Sequence, residues 1–413
     1  MSTDAFCRFC GEKLRESFCD LGMSPLANSY LDEQTLDRRE SFYPLHAYVC
    51  ERCYLVQLAE FESPEHIFGD YAYFSSFSRS WLDHAREYVD AVTERFDLGP
   101  TSKVVEIASN DGYLLQYFVE RGVPVLGIEP AANVAVAAEE RGIPTLVEFF
   151  GAELAARLRD EGTAADLLLG NNVLAHVPDL NDFVAGMAVL LAPQGRITME
   201  FPHLLQLMQH NQFDTIYHEH FSYFSFLTVS AVFARHGISL FDVEEIPTHG
   251  GSLRIYGCHA TQGSSHPITE RARDLLERER AAGLDRLSGY SSFPEQVRRT
   301  KRALLSFLVD AKEQGAAIAA YGAPAKGNTL LNYAGVGTDF IEYTVDRSPH
   351  KQGMYLPGTH IPIFDPDHIR ETKPDYLLVL PWNLKAEIME DMAHIRDWGG
   401  RFVFPIPEVT VVE

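Results

Sequence analysis

Hydrophobic and polar positions in the middle of the chain follow the pattern of strands that alternate with helices. Continuous apolar runs end in polar turns, which is typical of buried parallel strands. Amphipathic stretches between the runs predict helices. This order predicts an α/β domain with a mostly parallel sheet. The predicted strands are a run from 104 to a turn at 109–112, then 123–128, 145–147, 166–170 and 196–200; the predicted helices are 81–96, 132–140 and 179–191.

The turn at 109–112 and the acid Glu129 form a candidate nucleoside site. Glu129 ends the second strand. An acid about 20 residues after a glycine-bearing strand-to-helix turn typically accepts hydrogen bonds from ribose hydroxyls. Ala108 and Asn110 replace two glycines of the dinucleotide pattern, which favours a nucleoside without phosphate over a pyrophosphate. An α/β turn without any ligand is the alternative.

A second α/β unit is predicted in the last third of the chain. A charged helical connector, mostly facing solvent, is expected over 264–312. A strand at 316–320, a loop at 322–327 and a helix from Asn328 follow. A helix N-terminus beside Lys326 indicates an anion site; an ordinary turn with Lys326 in water is the alternative. Further strands are predicted at 343–346, 376–380 and 401–404, and Tyr333 or Trp382 could stack on a base.

Composition and charge narrow the class of partner. The 413 residues suggest roughly two to four domains. A net charge of −23 argues against nucleic acid or an anionic membrane as partner. The chain opens on polar residues, and no apolar run is long enough to cross a bilayer. We expect a soluble, cytoplasmic protein.

Two Cys-x-x-Cys pairs predict a metal site. Cys7 and Cys10 form the first pair, and Cys50 and Cys53 form the second. Four thiolates complete a tetrahedral Zn²⁺ site with no open position, so the predicted zinc is structural. The remaining cysteines, Cys19 and Cys258, are expected to be small core residues.

A run of titratable residues, Tyr217-His218-Glu219-His220, is a candidate catalytic motif. On an extended segment, Tyr217 and Glu219 would share one face, and His218 and His220 would share the other. The two histidines could bind a metal, but no third ligand is evident. Alternatively, the run supplies acid–base groups. A third interpretation is a set of satisfied polar groups in the core.

The aromatic and hydroxyl-rich run 71–81 is not periodic. Tyr71 could form a wall of a pocket. Packing of aromatic side chains between two domains explains the run equally well.

Residues 80–240 resemble the class I methyltransferases that bind S-adenosylmethionine. The resemblance rests on Glu106-x-Ala108-x-Asn110-Asp111-Gly112, on Glu129, on the run from Asn171 to Asp179 and on residues 191–196. It implies that Glu129 holds the cofactor ribose, that the turn carries the methionine end, and that the loop near Asn171 faces the sulfonium. The implied cofactor-binding residues are Glu106, Ala108, Asn110, Asp111, Gly112, Tyr113, Leu114, Glu129, Pro130, Asn171, Asn172 and Val173.

The whole chain is similar to the sugar C-methyltransferases of bacterial deoxysugar and antibiotic biosynthesis, and most closely to the C-3′ enzymes of the tetronitrose pathway. Runs at 249–252, 321–328 and 351–359 extend the likeness. It implies an α/β protein of three parts: a zinc-binding module at 1–65, a Rossmann-like methyltransferase domain at 66–255, and a second Rossmann-like domain at 256–413 that binds a nucleotide sugar.

The resemblance also implies a mechanism. A base removes the C3 proton of a 4-keto sugar, and the enolate attacks the sulfonium methyl. We assign His220 as the base and Glu219 as the group that orients it or its proton. Tyr217 and His176 would hydrogen-bond the oxyanion, and Tyr71 would close the pocket. No catalytic metal is required.

The expected substrate is a TDP-linked 4-keto-deoxysugar, and the expected assembly is a monomer or small homo-oligomer. The expected substrate-binding residues are Ser78, Ser80, Lys326, Gly327, Asn328, Tyr333 and Lys351. Other hypotheses are an O- or N-methyltransferase, an NAD-dependent sugar oxidoreductase and a non-catalytic zinc adaptor.

Overall fold

The computed structural model describes residues 5–61, 75–77, 79–262 and 266–413. Two predicted site residues, Tyr71 and Ser78, lie outside these ranges. Within them, no helix combines the length and apolarity needed to cross a membrane.

A four-stranded antiparallel sheet forms the N-terminal part of the structure. Its strands are β1 (Glu16–Ser24), β2 (Tyr43–Val49), β3 (Val56–Leu58) and β9 (Ser222–Tyr223), in the order β1-β2-β3-β9. Alternate side chains of β2 are buried, as a sheet with one covered face requires. Because β9 begins two residues after His220, the sheet connects the N-terminal module to the 217–220 motif.

A seven-stranded sheet forms the central part, in the order β10-β11-β8-β7-β4-β5-β6. The strand β11 is antiparallel to both of its neighbours, and the other adjacent pairs are parallel. The order reverses between β4 and β7, which is where α/β sheets open a crevice at their carboxyl edge. The strands are β4 (Val104–Ile107), β5 (Val125–Ile128), β6 (Thr145–Leu146), β7 (Ala165–Asn171), β8 (Leu191–Pro202), β10 (Ile238–Ile246) and β11 (Ser252–His259).

Helices cover both faces of this sheet, so all four residues of β4 are buried. They are α1 (Arg79–Phe96), α2 (Leu115–Glu120), α3 (Ala132–Glu140), α4 (Ala152–Asp160), α5 (Leu180–Leu190), α6 (Leu204–Gln209) and α7 (Phe226–Arg235). Asp179 caps α5 by accepting a hydrogen bond from the amide of Asp182. The predicted helices and strands of this region are confirmed, although β8 is longer than the predicted strand at 196–200.

A six-stranded sheet forms the C-terminal part, in the order β14-β13-β12-β15-β16-β17. Its first five strands are parallel, and β17 is antiparallel to β16. The strands are β12 (Ile318–Tyr321), β13 (Thr344–Val345), β14 (Ile363–Phe364), β15 (Tyr376–Val379), β16 (Arg401–Phe404) and β17 (Thr410–Val412); the helices are α8 (Glu270–Ala281), α9 (Phe293–Glu313), α10 (Ala325–Ala334), α11 (His368–Thr372) and α12 (Lys385–Asp391).

The C-terminal part differs from the sequence prediction in two respects. The helix α10 begins at Ala325 rather than Asn328, so Lys326 lies in its first turn. The short strands β14 and β17 were not predicted, because two or three residues carry too little pattern. The connector mostly faces solvent, as predicted, and α9 packs one face on the core through Val297, Leu304 and Leu308.

One hydrophobic core joins the N-terminal and C-terminal parts. Side chains of β1 pack on α9, where the rings of Phe18 and Phe293 stack with centroids 4.6 Å apart. The same core continues into the C-terminal sheet through Leu304 and Ile318. Residues that follow strands of the central sheet and of the C-terminal sheet line a common cleft.

Glu279 is a buried contact between α8 and α7. Its carboxylate accepts hydrogen bonds from His203 Nε2 and from the amides of Phe226 and Leu227, each at 2.7 Å. It thus caps the N-terminus of α7, where a negative charge is favourable. This contact explains why an acidic residue lies on the buried face of a charged helix.

We predict that Glu279→Ala lowers the free energy of unfolding by about 3 kcal/mol, because it leaves buried donors without an acceptor. Glu277→Ala on the exposed face of the same helix is the matched control and should change stability by less than about 0.5 kcal/mol. Denaturant unfolding measures both variants. Equal stability of the two would contradict this role for Glu279.

Candidate active site

A cleft of about 1280 Å³ lies between the two α/β sheets. Pockets for a single small ligand usually measure roughly 300–1000 Å³, so this cleft has room for two. Residues from the turn after β4, from the 217–220 motif and from the loops after β12 and β13 line it. The rings of Trp81 and Tyr113 line the central-sheet end of the cleft and stack with their centroids 6.0 Å apart.

The four cysteines of the two Cys-x-x-Cys pairs converge outside the cleft. All their Sγ atoms lie within 4.8 Å of one another, and Cys7–Cys53 and Cys10–Cys50 are each 3.5 Å apart. Tetrahedral zinc with Zn–S bonds of about 2.3 Å needs sulfurs about 3.8 Å apart. The cluster fits a zinc ion, and a closed set of four thiolates makes the site structural.

The turn after β4 forms without its usual glycines. Ala108 and Asn110 take the left-handed conformation, with φ of 56° and 50°. Asparagine tolerates this region better than most residues, and the Asn110 side chain accepts a hydrogen bond from the amide of Ser75. Gly112 also has positive φ, and a Cβ there would collide with Ile143. The turn therefore keeps its conformation although Ala108 and Asn110 replace two glycines.

Glu129 is held rigidly beside this turn. One carboxylate oxygen accepts from the amide of Asn110 and the other from that of Ala131, both at 2.9 Å. Each oxygen keeps a further lone pair for a ligand hydroxyl. The carboxylate lines the cleft, so its geometry fits a ribose.

Glu106 is a buried carboxyl without a protein partner among the described residues. It is fully buried, and neither oxygen has a hydrogen bond. Burial, together with the charges of Glu129 and Asp111, raises the pKa of Glu106 well above its usual value. A buried carboxyl of this kind calls for a donor or a cation from elsewhere. S-adenosylmethionine carries an ammonium and a sulfonium, so the residues around the turn fit this cofactor.

The other predicted cofactor residues separate into two groups. Asn110, Tyr113, Pro130 and the residues 171–173 line the cleft beside Ala108 and Glu129. Leu114 is buried in the core. Asp111 does not line the cleft because its carboxylate accepts from Ser76 Oγ at 2.5 Å and pairs with Arg141 at 3.2 Å. Sequence reasoning missed Phe149 and Phe150, although these paired phenylalanines just after β6 were a usable signal; Trp81, which also lines the cleft, belongs to the aromatic run 71–81 for which a pocket lining was one interpretation.

The 217–220 motif forms a turn rather than an extended segment. The amide of His220 donates to the carbonyl of Tyr217 at 2.9 Å, and the two rings lie 4.0 Å apart. The predicted sharing of faces is therefore wrong, because a turn brings residues three apart together. His218 points away and contacts the Pro44 carbonyl at 3.3 Å. The two histidines of the motif thus diverge and do not form a shared metal site.

The ring of His220 is fixed by hydrogen bonds at both nitrogens. Nδ1 lies 2.9 Å from the Thr215 carbonyl, which only accepts, so Nδ1 carries the proton. Nε2 then accepts from the hydroxyl of Tyr217 at 2.9 Å. Glu219 does not contribute to this orientation, since its hydrogen bond comes from Asn28 Nδ2 at 2.7 Å. His176 lies beside His220, with ring centroids 4.7 Å apart.

Burial sets the protonation of these groups. It lowers the pKa of His176 to about 4. Burial, and next the neighbouring His176, lowers the pKa of His220 well below 6.5. Both imidazoles are therefore neutral at neutral pH, and Nε2 of His220 is available as a proton acceptor. Burial raises the pKa of Glu219 to about 7.

Two of the predicted substrate-binding residues line the far end of the cleft. Lys326 Nζ lies 2.8 Å from Asn383 Oδ1 and 4.7 Å from the centre of the Trp382 ring. Burial lowers the pKa of Lys326. Lys351 Nζ donates to the carbonyl of Ala323 at 2.8 Å. Arg347 and His350 line the same end and were missed, although both follow a predicted strand end.

Four other predicted substrate residues do not line the cleft. Asn328 donates to the Ala27 carbonyl at 2.6 Å, and Gly327 packs on Leu380. Tyr333 packs on Phe213, so it cannot stack on a base in the cleft. These residues hold α10 against its neighbours. Ser80 lies exposed in the first turn of α1.

Three protein families match successive parts of the chain. A zinc binding domain matches residues 7–68, a methyltransferase domain matches residues 80–242, and a C-methyltransferase C-terminal domain matches residues 247–407.

Individual proteins resemble the chain to different extents. The C-methyltransferase NovU of Streptomyces niveus is 36% identical over 406 residues, which cover 98% of this chain and 96% of NovU. The ubiquinone biosynthesis O-methyltransferase of Bartonella bacilliformis is 28% identical over 142 residues, or 33% of this chain and 56% of that protein. The crystal structure of magnesium protoporphyrin IX methyltransferase from Synechocystis PCC 6803 with bound SAH is 15% identical, covers 43% of this chain and 80% of that one, and has a TM-score of 0.34.

We predict that Cys50→Ser removes most of the zinc, because three thiolates no longer close the tetrahedral site. Elemental analysis should find about one zinc per chain in the wild type and much less in the variant. Cys19→Ser is the control, since Cys19 is a buried cysteine outside the cluster. Full zinc in Cys50→Ser, or its loss in Cys19→Ser, would contradict the assignment.

Proposed function

This chain belongs to the S-adenosylmethionine-dependent C-methyltransferase family, and we propose that it methylates C-3′ of a TDP-linked 4-keto-deoxysugar in deoxysugar biosynthesis. Family membership rules out the hypotheses of an NAD-dependent oxidoreductase, a zinc adaptor and an O- or N-methyltransferase. The observation that carries the proposal is one cleft that is lined by three features. They are the nucleoside-type acid Glu129, the neutral pair of His220 and Tyr217, and a group of cations.

The charges along the cleft support two different ligands. The central-sheet end is lined by the acids Glu129, Glu148, Asp179 and Asp182, while the opposite end is lined by Lys326, Arg347 and Lys351. A cationic cofactor suits the first end and a diphosphate suits the second. The 217–220 motif lies between them, where a sugar attached to the diphosphate would meet the cofactor.

The cofactor end needs few groups beyond those already described. Glu129 would accept from the ribose hydroxyls, and Glu106 would balance the positive charge of the methionine end. The loop 171–173 would line the reacting centre. When bound, S-adenosylmethionine supplies an electrophilic methyl group on sulfur.

His220 is the proposed base that removes the C3 proton of the substrate. The C3–H of a 4-keto sugar is acidic because the adjacent carbonyl stabilises the enolate. Nε2 of His220 takes this proton, and the Thr215 carbonyl stabilises the resulting imidazolium through Nδ1–H. The bond between Tyr217 and His220 must open at this moment, which frees the Tyr217 hydroxyl to donate to the enolate oxygen. His176 provides a neighbouring neutral imidazole for the same oxygen.

We predict that His220→Asn lowers kcat by about 10²–10⁴-fold, the usual contribution of a positioned base. The variant should still bind S-adenosylhomocysteine with unchanged affinity in calorimetry. Wild-type enzyme without methyl donor should exchange the substrate C3 proton with solvent deuterium, and His220→Asn should not.

Glu129→Gln is the matched control for this experiment. It should lose cofactor affinity but retain deuterium exchange at C3, because the exchange does not use the cofactor ribose. Exchange by His220→Asn at the wild-type rate would place the base elsewhere. No exchange by the wild type at any pH would argue against methylation at carbon C-3′.

The pH dependence follows from the lowered pKa of His220. The base is active when neutral, so activity falls as the pH drops through that pKa. We predict an acid limb of kcat/KM below about pH 6.5, the value for an unperturbed imidazole. Steady-state rates between about pH 5 and pH 8 measure it. An acid limb at or above pH 6.5 would show that burial does not control this group.

A further inference from the structure

The C-terminal sheet repeats the central sheet strand by strand. The central order β6-β5-β4-β7-β8 corresponds to β14-β13-β12-β15-β16, and all of these neighbours are parallel. Each set continues with one antiparallel strand, β11 or β17. The loops after β12 and β13 therefore occupy the same places as the loops after β4 and β5, which form the cofactor site.

Main-chain hydrogen bonds at the strand ends recur as well. The residue after β4 donates to the carbonyl at the end of β5, and the residue after β12 donates to the carbonyl at the end of β13. These bonds are Ala108–Ile128 at 2.7 Å and Gly322–Val345 at 2.6 Å. The residue after β5 donates to the end of β6, and the residue after β13 donates to the end of β14. These bonds are Glu129–Leu146 at 2.9 Å and Asp346–Phe364 at 3.0 Å.

The correspondence extends to a carboxylate. Asp346 follows β13 as Glu129 follows β5. Asp346 Oδ2 accepts from the amide of Ala323 at 2.7 Å, in the turn after the first strand, and Oδ1 accepts from that of Ser348 at 2.8 Å, two residues further on. Glu129 makes the same two kinds of bond. Asp346 also lines the cleft and keeps lone pairs for a ligand hydroxyl.

The surroundings of the two acids differ in charge. Other acids line the cleft near Glu129, whereas Asp346 is followed by Arg347, His350 and Lys351 in one loop. Lys351 Nζ lies 4.0 Å from Asp346 Oδ2. A ligand that suits this end presents a hydroxyl to the acid and negative charge to the cations. A nucleoside diphosphate has both.

We propose that Asp346 accepts a hydrogen bond from the 3′-hydroxyl of the substrate's nucleoside diphosphate, and so acts at the C-terminal sheet as Glu129 acts at the central one. This inference rests on the proposed nucleotide-sugar substrate. It assigns the nucleoside sugar to the loops after β12 and β13, and it directs the diphosphate past Lys351 and Lys326 toward the 217–220 motif.

Calorimetry with full-length, zinc-loaded protein tests the assignment. The probes are TDP and 3′-deoxy-TDP, which differ only in the hydroxyl in question. Wild type should bind 3′-deoxy-TDP about 10-fold or more weakly than TDP, since a hydrogen bond to a charged acceptor is lost. Asp346→Asn should weaken TDP binding and bring the two affinities close together.

Asp365→Asn is the matched control. Asp365 follows β14 and accepts from the amide of Asp367 at 2.9 Å, but it is exposed and does not line the cleft. It should preserve the wild-type difference between the probes. Glu129→Gln should also preserve that difference while losing cofactor affinity, which separates the two acids.

The possible outcomes distinguish this inference from the proposed function. If TDP binds to wild type but removal of the 3′-hydroxyl has no effect, the role of Asp346 is wrong and the nucleotide-sugar substrate stands. If neither TDP nor UDP binds, both are wrong. Because the comparison of the two probes uses wild-type protein, equal affinities would still overturn the role of Asp346 if Asp346→Asn failed to fold.

Discussion

The hydrogen bond between His220 Nδ1–H and the Thr215 carbonyl is the contact on which the proposed chemistry of the cleft depends. It selects the tautomer that leaves Nε2 as an acceptor, and it aims that atom at the hydroxyl of Tyr217. Without it the imidazole could rotate or exchange its proton, and the hydroxyl of Tyr217 would have no fixed acceptor. The carbonyl belongs to a short, buried helical turn, so the proposed base is oriented by backbone and not by a flexible carboxylate.

The N-terminal module reaches this site through its metal cluster. Arg8, between the cysteines of the first pair, donates to the carbonyls of Pro178 and Leu58 at 2.7 Å and 2.5 Å, and its guanidinium lies 5.3 Å from the centre of the Phe221 ring. Pro178 lines the cleft, and Phe221 follows the base directly. The strand β9 then joins the N-terminal sheet. A structural zinc thus supports the wall of the cleft, although its ligands lie outside it.

Motifs with fixed local spacing could be predicted from the sequence, and contacts made over long distances could not. The cysteine pairs and the acid after β5 follow rules of short range, so the zinc cluster and the nucleoside-type turn agree with expectation. The form of the 217–220 segment depends on Thr215 and on packing against β2, which no local pattern encodes, so the sequence analysis considered only an extended segment. Asn328 and Tyr333 resembled ligand residues because they lie near Lys326 in sequence, but helix geometry turns them into the core. Asp346 was not named as a site residue, although the predicted strand at 343–346 ends on it.

A hydrogen bond between Trp382 and Asp214 connects the two ends of the cleft. Trp382 Nε1 donates to Asp214 Oδ2 at 2.6 Å, and Lys326 lies over the same indole. Asp214 directly precedes Thr215, so the C-terminal domain is bonded to the segment that orients the base. Burial is the main cause of the lowered pKa of His220, and the positive charge of Lys326 adds to it. A diphosphate beside Lys326 offsets that charge, which would make His220 a stronger base when a nucleotide sugar is in place than in the empty cleft. In the proposed reaction, substrate binding and proton removal would therefore be linked by electrostatics, without any need for domain movement.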